Sequence, residues 1–109
     1  MASMDTVGAG TPGYLIGTLR DVSYNEELQR YVSEIQATLI PYGGHFIVRG
    51  SAPEMLEGTW SAEGVVIIEF PSVLHARQWY ASPAYQEIRE LRTRNATCDL
   101  SIVEGLPTG

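Results

Sequence analysis

Apolar and polar residues recur along this chain with two periods, close to two and close to three and a half. Gly13 to Leu19, His45 to Arg49 and Thr97 to Val103 are short, β-rich stretches bounded by turn residues, and each predicts a strand. Val65 to Phe70 is denser, a run of β-branched and aromatic residues stopped by Pro71, which suits a strand buried on both faces. From Glu26 to Ile40, the residues Leu28, Tyr31, Val32, Ile35 and Leu39 recur at intervals of three and four, predicting an amphipathic helix ended by Pro41. After Pro71, Ser72 can cap a helix with Ala76, Trp79 and Tyr80 on one side. A second start follows at Ser82-Pro83, so this helix is expected to break there, with Tyr85, Ile88 and Leu91 continuing the stripe.

The order β-α-β-β-α-β, with right-handed crossovers, predicts an α+β fold: a four-stranded antiparallel sheet with both helices on one face. Alternation then sorts the strand residues. Leu15, Leu19, Phe46, Val48, Val66, Ile68 and Phe70 would lie under the helices. Tyr14, Ile16, Thr18, His45, Ile47, Arg49, Val65, Ile67 and Glu69 would form the other face, half apolar and too greasy to meet water across a whole sheet. A homodimer with two sheets face to face around a partly polar cavity is the simplest cover. The chain is long enough for one core, expected at 13–105, with residues 1–12 a flexible lead and 106–109 a tail that frays or lies along a partner. Gly17 is expected to permit a close backbone approach.

Composition removes several classes. The formal charge of −6 argues against nucleic acid and anionic membranes as partners, and no apolar run approaches a bilayer span. The lead, MASMDTVGAGTPG, lacks the basic and apolar regions of a signal peptide, so a cytoplasmic location is expected. All seven cations are arginine; without lysine there is no Schiff-base or P-loop chemistry. Cys98 is the one cysteine, read as a small buried apolar residue. His45 and His75 are the two histidines and have no ligand partners at metal spacing, so neither metal nor cofactor is expected. His75 is expected to face solvent.

Tyr42-Gly43-Gly44, Ile47-Val48-Arg49-Gly50, Leu56-Glu57-Gly58, Glu69-Phe70-Pro71-Ser72, Trp79-Tyr80-x-Ser82-Pro83-x-Tyr85-Gln86 and Val103-Glu104-Gly105 together resemble the domain-of-unknown-function family thirteen-thirty, over about Tyr14 to Gly105. The resemblance implies a ferredoxin-like protomer and a dimeric α+β barrel, in a superfamily that includes muconolactone isomerases, polyketide cyclases, cofactor-free monooxygenases and haem-dependent enzymes. It implies no defined activity. The family usually carries Arg or Lys after the Gly-Gly pair and often a basic residue before the third strand. Here stand His45 and Glu63-Gly64, which remove permanent charge and place a group that exchanges protons near neutral pH.

His45, Glu69 and Arg49 are the sharpest constellation. Pairing Arg49 with Val65 puts His45 opposite Glu69 on the cavity side. The carboxylate would orient the imidazole as a general base, and Arg49 would hold a substrate carboxylate or enolate oxygen. The alternative is an inter-strand ion pair closing the barrel end. Tyr14, Trp60, Tyr80, Ser82 and Tyr85 are expected to contact substrate, although the rings also suit plain packing. Arg92 and Arg94 are accounted for by the negative end of their helix. The function expected is a cofactor-independent enzyme acting on a small molecule by an isomerisation or cyclisation with proton transfer, in secondary metabolism. The alternatives are a dimeric protein that binds a small ligand without chemistry, and a cofactor-free monooxygenase.

Overall fold

The computed structural model describes residues 10–108. The expected flexible lead therefore falls mostly outside the described residues. Four strands, β1 (Gly13–Arg20), β2 (His45–Ser51), β3 (Gly64–Phe70) and β4 (Thr97–Glu104), form one antiparallel sheet in the order β2-β3-β1-β4. Three helices, α1 (Glu26–Leu39), α2 (Val73–Ala81) and α3 (Pro83–Thr93), lie on one side. This is the expected βαββαβ sandwich, ferredoxin-like in topology. Among the described residues no helix is long and apolar enough to cross a membrane.

Local chemistry fixes the helix ends. The Asn25 side chain accepts from the Leu28 backbone N–H to open α1, and Glu26 and Glu27 lie in its first turn, where the helix dipole favours acids. Pro41 turns the chain into a short 3-10 segment, Ile40–Tyr42. Ser72 caps α2 through the His75 N–H. The break between α2 and α3 centres on buried Ser82, whose Oγ accepts from the Tyr85 N–H at 3.3 Å and donates to the Trp79 carbonyl at 2.6 Å. Ser82 is thus a hinge pin inside the protein. Replacing it with alanine is expected to cost about 1 kcal/mol, read as a lower urea midpoint at unchanged slope.

The core lies between the helices and one sheet face: Leu15, Tyr31, Ile35, Leu39, Ile68, Phe70, Trp79, Tyr85, Ile88 and Leu91. Trp79 sits at its centre, stacked near Tyr85 (4.2 Å between centroids) and Phe70 (5.6 Å), its Nε1 donating to Thr38 Oγ1 at 2.9 Å. Gly17 leaves room for the Leu100 side chain, rather than for a neighbouring backbone as expected. The C-terminal tail runs along the chain's own start, Gly105 N–H to the Pro12 carbonyl and Thr108 N–H to the Gly10 carbonyl. His75 is half-buried instead of solvent-facing, because its Nδ1 lies 2.6 Å from the Ser72 Oγ that caps its helix.

The hairpin register holds at one end and drifts at the other. His45 pairs with Glu69 and Phe46 with Ile68, but Val48 then pairs with Ile67, Arg49 with Val66 and Ser51 with Val65. Ile47 and Gly50 are extra residues, bulges without a partner; Gly50 has φ +93°, a conformation that suits glycine. Each bulge reverses the alternation that follows it. Val48 therefore turns to the open face and Arg49 to the helix side, opposite to the expected placement.

Candidate functional site

On the open face, three adjacent strands bring together His45 at the start of β2, Glu69 near the end of β3 and Tyr14 near the start of β1. Glu69 Oε1 lies 3.0 Å from His45 Nε2, and its Oε2 accepts from the Tyr14 hydroxyl at 3.0 Å. The accepting carboxylate, and then desolvation, hold the Tyr14 hydroxyl above the ordinary phenol range. The predicted His45–Glu69 pair is therefore present, with Tyr14 as a third member. The His45 side chain is 57% exposed and Glu69 33%, so in the single chain this is a surface cluster.

Arg49 does not join them. Its guanidinium lies on the other side of the sheet, 4.4 Å from the Phe46 ring centre, with Nη2 donating to the Val32 carbonyl of α1 at 3.4 Å. The Ile47 bulge is the reason. The three residues expected to share one cavity are divided between two faces.

The cavity itself lies on the helix side, between the sheet and α1, with a volume of about 370 Å³. Leu15, Leu28, Ile35, Phe46, Val66 and Ile68 give it an apolar wall, and exposed Tyr24, Arg49 and Gly50 mark its mouth. Its inner wall includes Trp79, Tyr85, Tyr31 and Arg92, all buried. The Tyr31 and Tyr85 hydroxyls are 2.9 Å apart, and Arg92 Nε donates to the Tyr85 oxygen at 3.4 Å. Burial, with the neighbouring Tyr85 adding to it, pushes the Tyr31 hydroxyl well above the ordinary phenol value, so it stays protonated. Burial opposes the Arg92 charge, but the facing oxygens of Tyr85 and Tyr31 and the Cys98 thiol outweigh it, and the guanidinium titrates above its usual range.

Of the residues expected to contact substrate, Arg49 and Tyr85 line this cavity, and Tyr14, Trp60, Tyr80 and Ser82 do not. Tyr80 packs on Trp79 and Tyr85 and accepts from Arg89 Nε at 3.0 Å, bordering a separate hollow with Leu100, Ser101 and Ile102. Ser82 is the cap already described, and Trp60 is 47% exposed in the loop between β2 and β3. Tyr31 and Arg92 were not expected as site residues. Their signal was positional: Tyr31 sits in the buried stripe of α1, and Arg92 follows Tyr85 by seven and Ile88 by four, on the buried face of α3.

A family described as "Domain of unknown function (DUF1330)" matches residues 12–106. No curated protein matches the chain. Among solved structures, a protein of unknown function from Rhodopseudomonas palustris is 22% identical, with 90% of this chain and 84% of that one covered and a TM-score of 0.68. A dabb family protein with a ferredoxin-like fold from Mesorhizobium loti is 16% identical, with 92% and 99% covered and a TM-score of 0.56. SnoaB, a cofactor-independent oxygenase from Streptomyces nogalater, is 14% identical, with 87% and 92% covered and a TM-score of 0.55. At these identities the likeness is one of fold.

Proposed function

The chain belongs to the DUF1330 family, and from its own geometry we propose that it is a cofactor-independent enzyme that moves a proton on a small, largely apolar molecule held between the sheet and the helices. The observation that carries this reading is the 370 Å³ apolar cavity with the Tyr31–Tyr85 hydroxyl pair in its inner wall. Its volume falls in the range of small-molecule sites. Two hydroxyls joined by one hydrogen bond have one proton left over, available to a ligand carbonyl oxygen. Arg92 Nε, by donating to the Tyr85 oxygen, makes that phenol a better donor. A ketone accepting this hydrogen bond enolises more readily: the phenol proton passes to the carbonyl oxygen while a water takes the proton from the adjacent carbon and returns one to the phenolate. The same arrangement serves a cofactor-free oxygenation of the kind named for the Streptomyces nogalater neighbour; uptake of dioxygen separates the two reactions.

A second reading keeps His45 as the base, with Glu69 as its orienter, in a space between two copies of the chain. The 3.0 Å approach of His45 to Glu69 favours it. Hydrogen exchange at the α-carbon of 2-tetralone in D2O, followed by proton NMR, tests both. The first reading expects catalysed exchange that falls about a hundredfold in Tyr85→Phe and is unchanged in His45→Ala. Loss in His45→Ala with Tyr85→Phe intact favours the second. Binding without exchange would make the chain a ligand-binding protein.

We further propose that a second copy of the chain covers the open sheet face. Ile16, Val48, Val65, Ile67 and Val103 give that face an apolar centre, and the His45–Glu69–Tyr14 cluster already satisfies its polar groups at one end.

A further inference from the structure

Arg92 is the least expected member of the cavity wall. It is 7% exposed, and among the described residues no carboxylate lies within ion-pair distance of it. Its neighbours are a hydroxyl, a ring and a thiol: the Tyr85 hydroxyl at 3.4 Å, the Tyr31 ring with its centre 5.9 Å away, and Cys98. Acids are abundant in this chain, thirteen against seven arginines. They go elsewhere, to Arg20, Arg30 and Arg94, all on the surface. Burial opposes the Arg92 charge, and what holds it here are hydroxyls, a thiol and the dipole of the last turn of α3, with no carboxylate. Arg49, at the mouth of the same cavity, also has a backbone carbonyl and a ring as partners instead of a carboxylate. The described wall thus holds two guanidinium groups and no acid, inside a protein whose net charge is −6. Such a cavity has low-dielectric walls and a field of one sign, which concentrates ligands of the other sign.

We infer that the molecule this cavity takes is an organic anion, an apolar carboxylic acid whose carboxylate is received by the Arg92 guanidinium while its body fills the space between the sheet and α1. A guanidinium presents paired N–H donors that match a carboxylate, and the ligand would supply the counter-charge the fold omits. Arg49 lies where it draws the anion toward the mouth. The inference rests on the reading of this cavity as the ligand site, and gives the substrate its class: an enolisable acid, anchored by Arg92, with its carbonyl within reach of the tyrosine pair.

The test is calorimetric titration of the full chain with 2-naphthoate and with its neutral isostere, 2-naphthamide. Naphthoate is expected to bind about thirtyfold more tightly. In Arg92→Met that preference should shrink to within about threefold. Should that variant not fold, Arg92→Gln is read in the same way. Equal binding of the two probes, binding of neither, or a preference that persists without Arg92 overturns the inference. Failure of tetralone exchange with the naphthoate preference intact removes the proton-transfer reading and leaves the anion site standing.

Discussion

Trp79→Ala is expected to remove about 3–5 kcal/mol of folding stability, the range for truncating a large buried aromatic. A domain of this size has roughly 5–15 kcal/mol in all, so the variant should sit near the edge of folding at room temperature. Three losses combine. The indole ring packs against Phe70, Tyr80 and Tyr85, so its removal opens a void where the sheet, α2 and α3 meet. Thr38 Oγ1 loses the donor that reaches it across the core. The void also joins the cavity between the sheet and α1, because Trp79 is part of its wall, so water enters and the tyrosine pair is solvated. Trp79→Phe keeps most of the packing and should cost less than half as much. Urea unfolding of the two variants checks this; a loss below 1 kcal/mol in Trp79→Ala would show that the ring is not packed as described.

Ile67→Glu is expected to convert the proposed dimer into a monomer, with the dissociation constant raised at least a thousandfold. Ile67 lies on β3, opposite Ile16 on one side and Val48 on the other, in the middle of the open face. In the protomer it is half-buried, so a glutamate there can reach water and the fold should survive. Against a second sheet, the symmetric contact buries two carboxylates close together, at a cost of about 3–5 kcal/mol for each unpaired charge. Sedimentation velocity at micromolar concentration reads the result. A wild-type chain that is already monomeric there would remove the dimer, and with it the reading in which His45 works between two copies.

The architecture was legible because its punctuation is chemical. Ser72 and Ser82 cap helices, Pro41 and Pro83 mark an end and a start, and the α1 stripe has an unambiguous period. The His45–Glu69 pair was legible too, although the expected Arg49–Val65 pairing fails, because both extra residues lie beyond Phe46 and leave the Phe70 end of the ladder unshifted. Arg49 was not. One unpaired residue at Ile47 reverses Val48 and Arg49, and the sequence HFIVRG carries no local mark of a bulge other than Gly50. Arg92 was misjudged for a different reason: a cation in the last turn of a helix already has a sufficient explanation in the dipole, which hides a residue that also faces inward. Its seven-residue spacing from Tyr85 was the clue, and only packing showed that the stripe included it.

The two bulges have a consequence beyond the aim of Arg49. β2 is an outer strand of the sheet, and a straight outer strand offers its unpaired N–H and carbonyl groups as a template for another chain. Extra residues at Ile47 and Gly50 break that row and add local twist, so the edge has no long flat run for a foreign strand to zip onto. Pairing of a foreign strand is thereby disfavoured on this side, in a chain whose Val65–Phe70 run has the composition of an aggregation-prone segment.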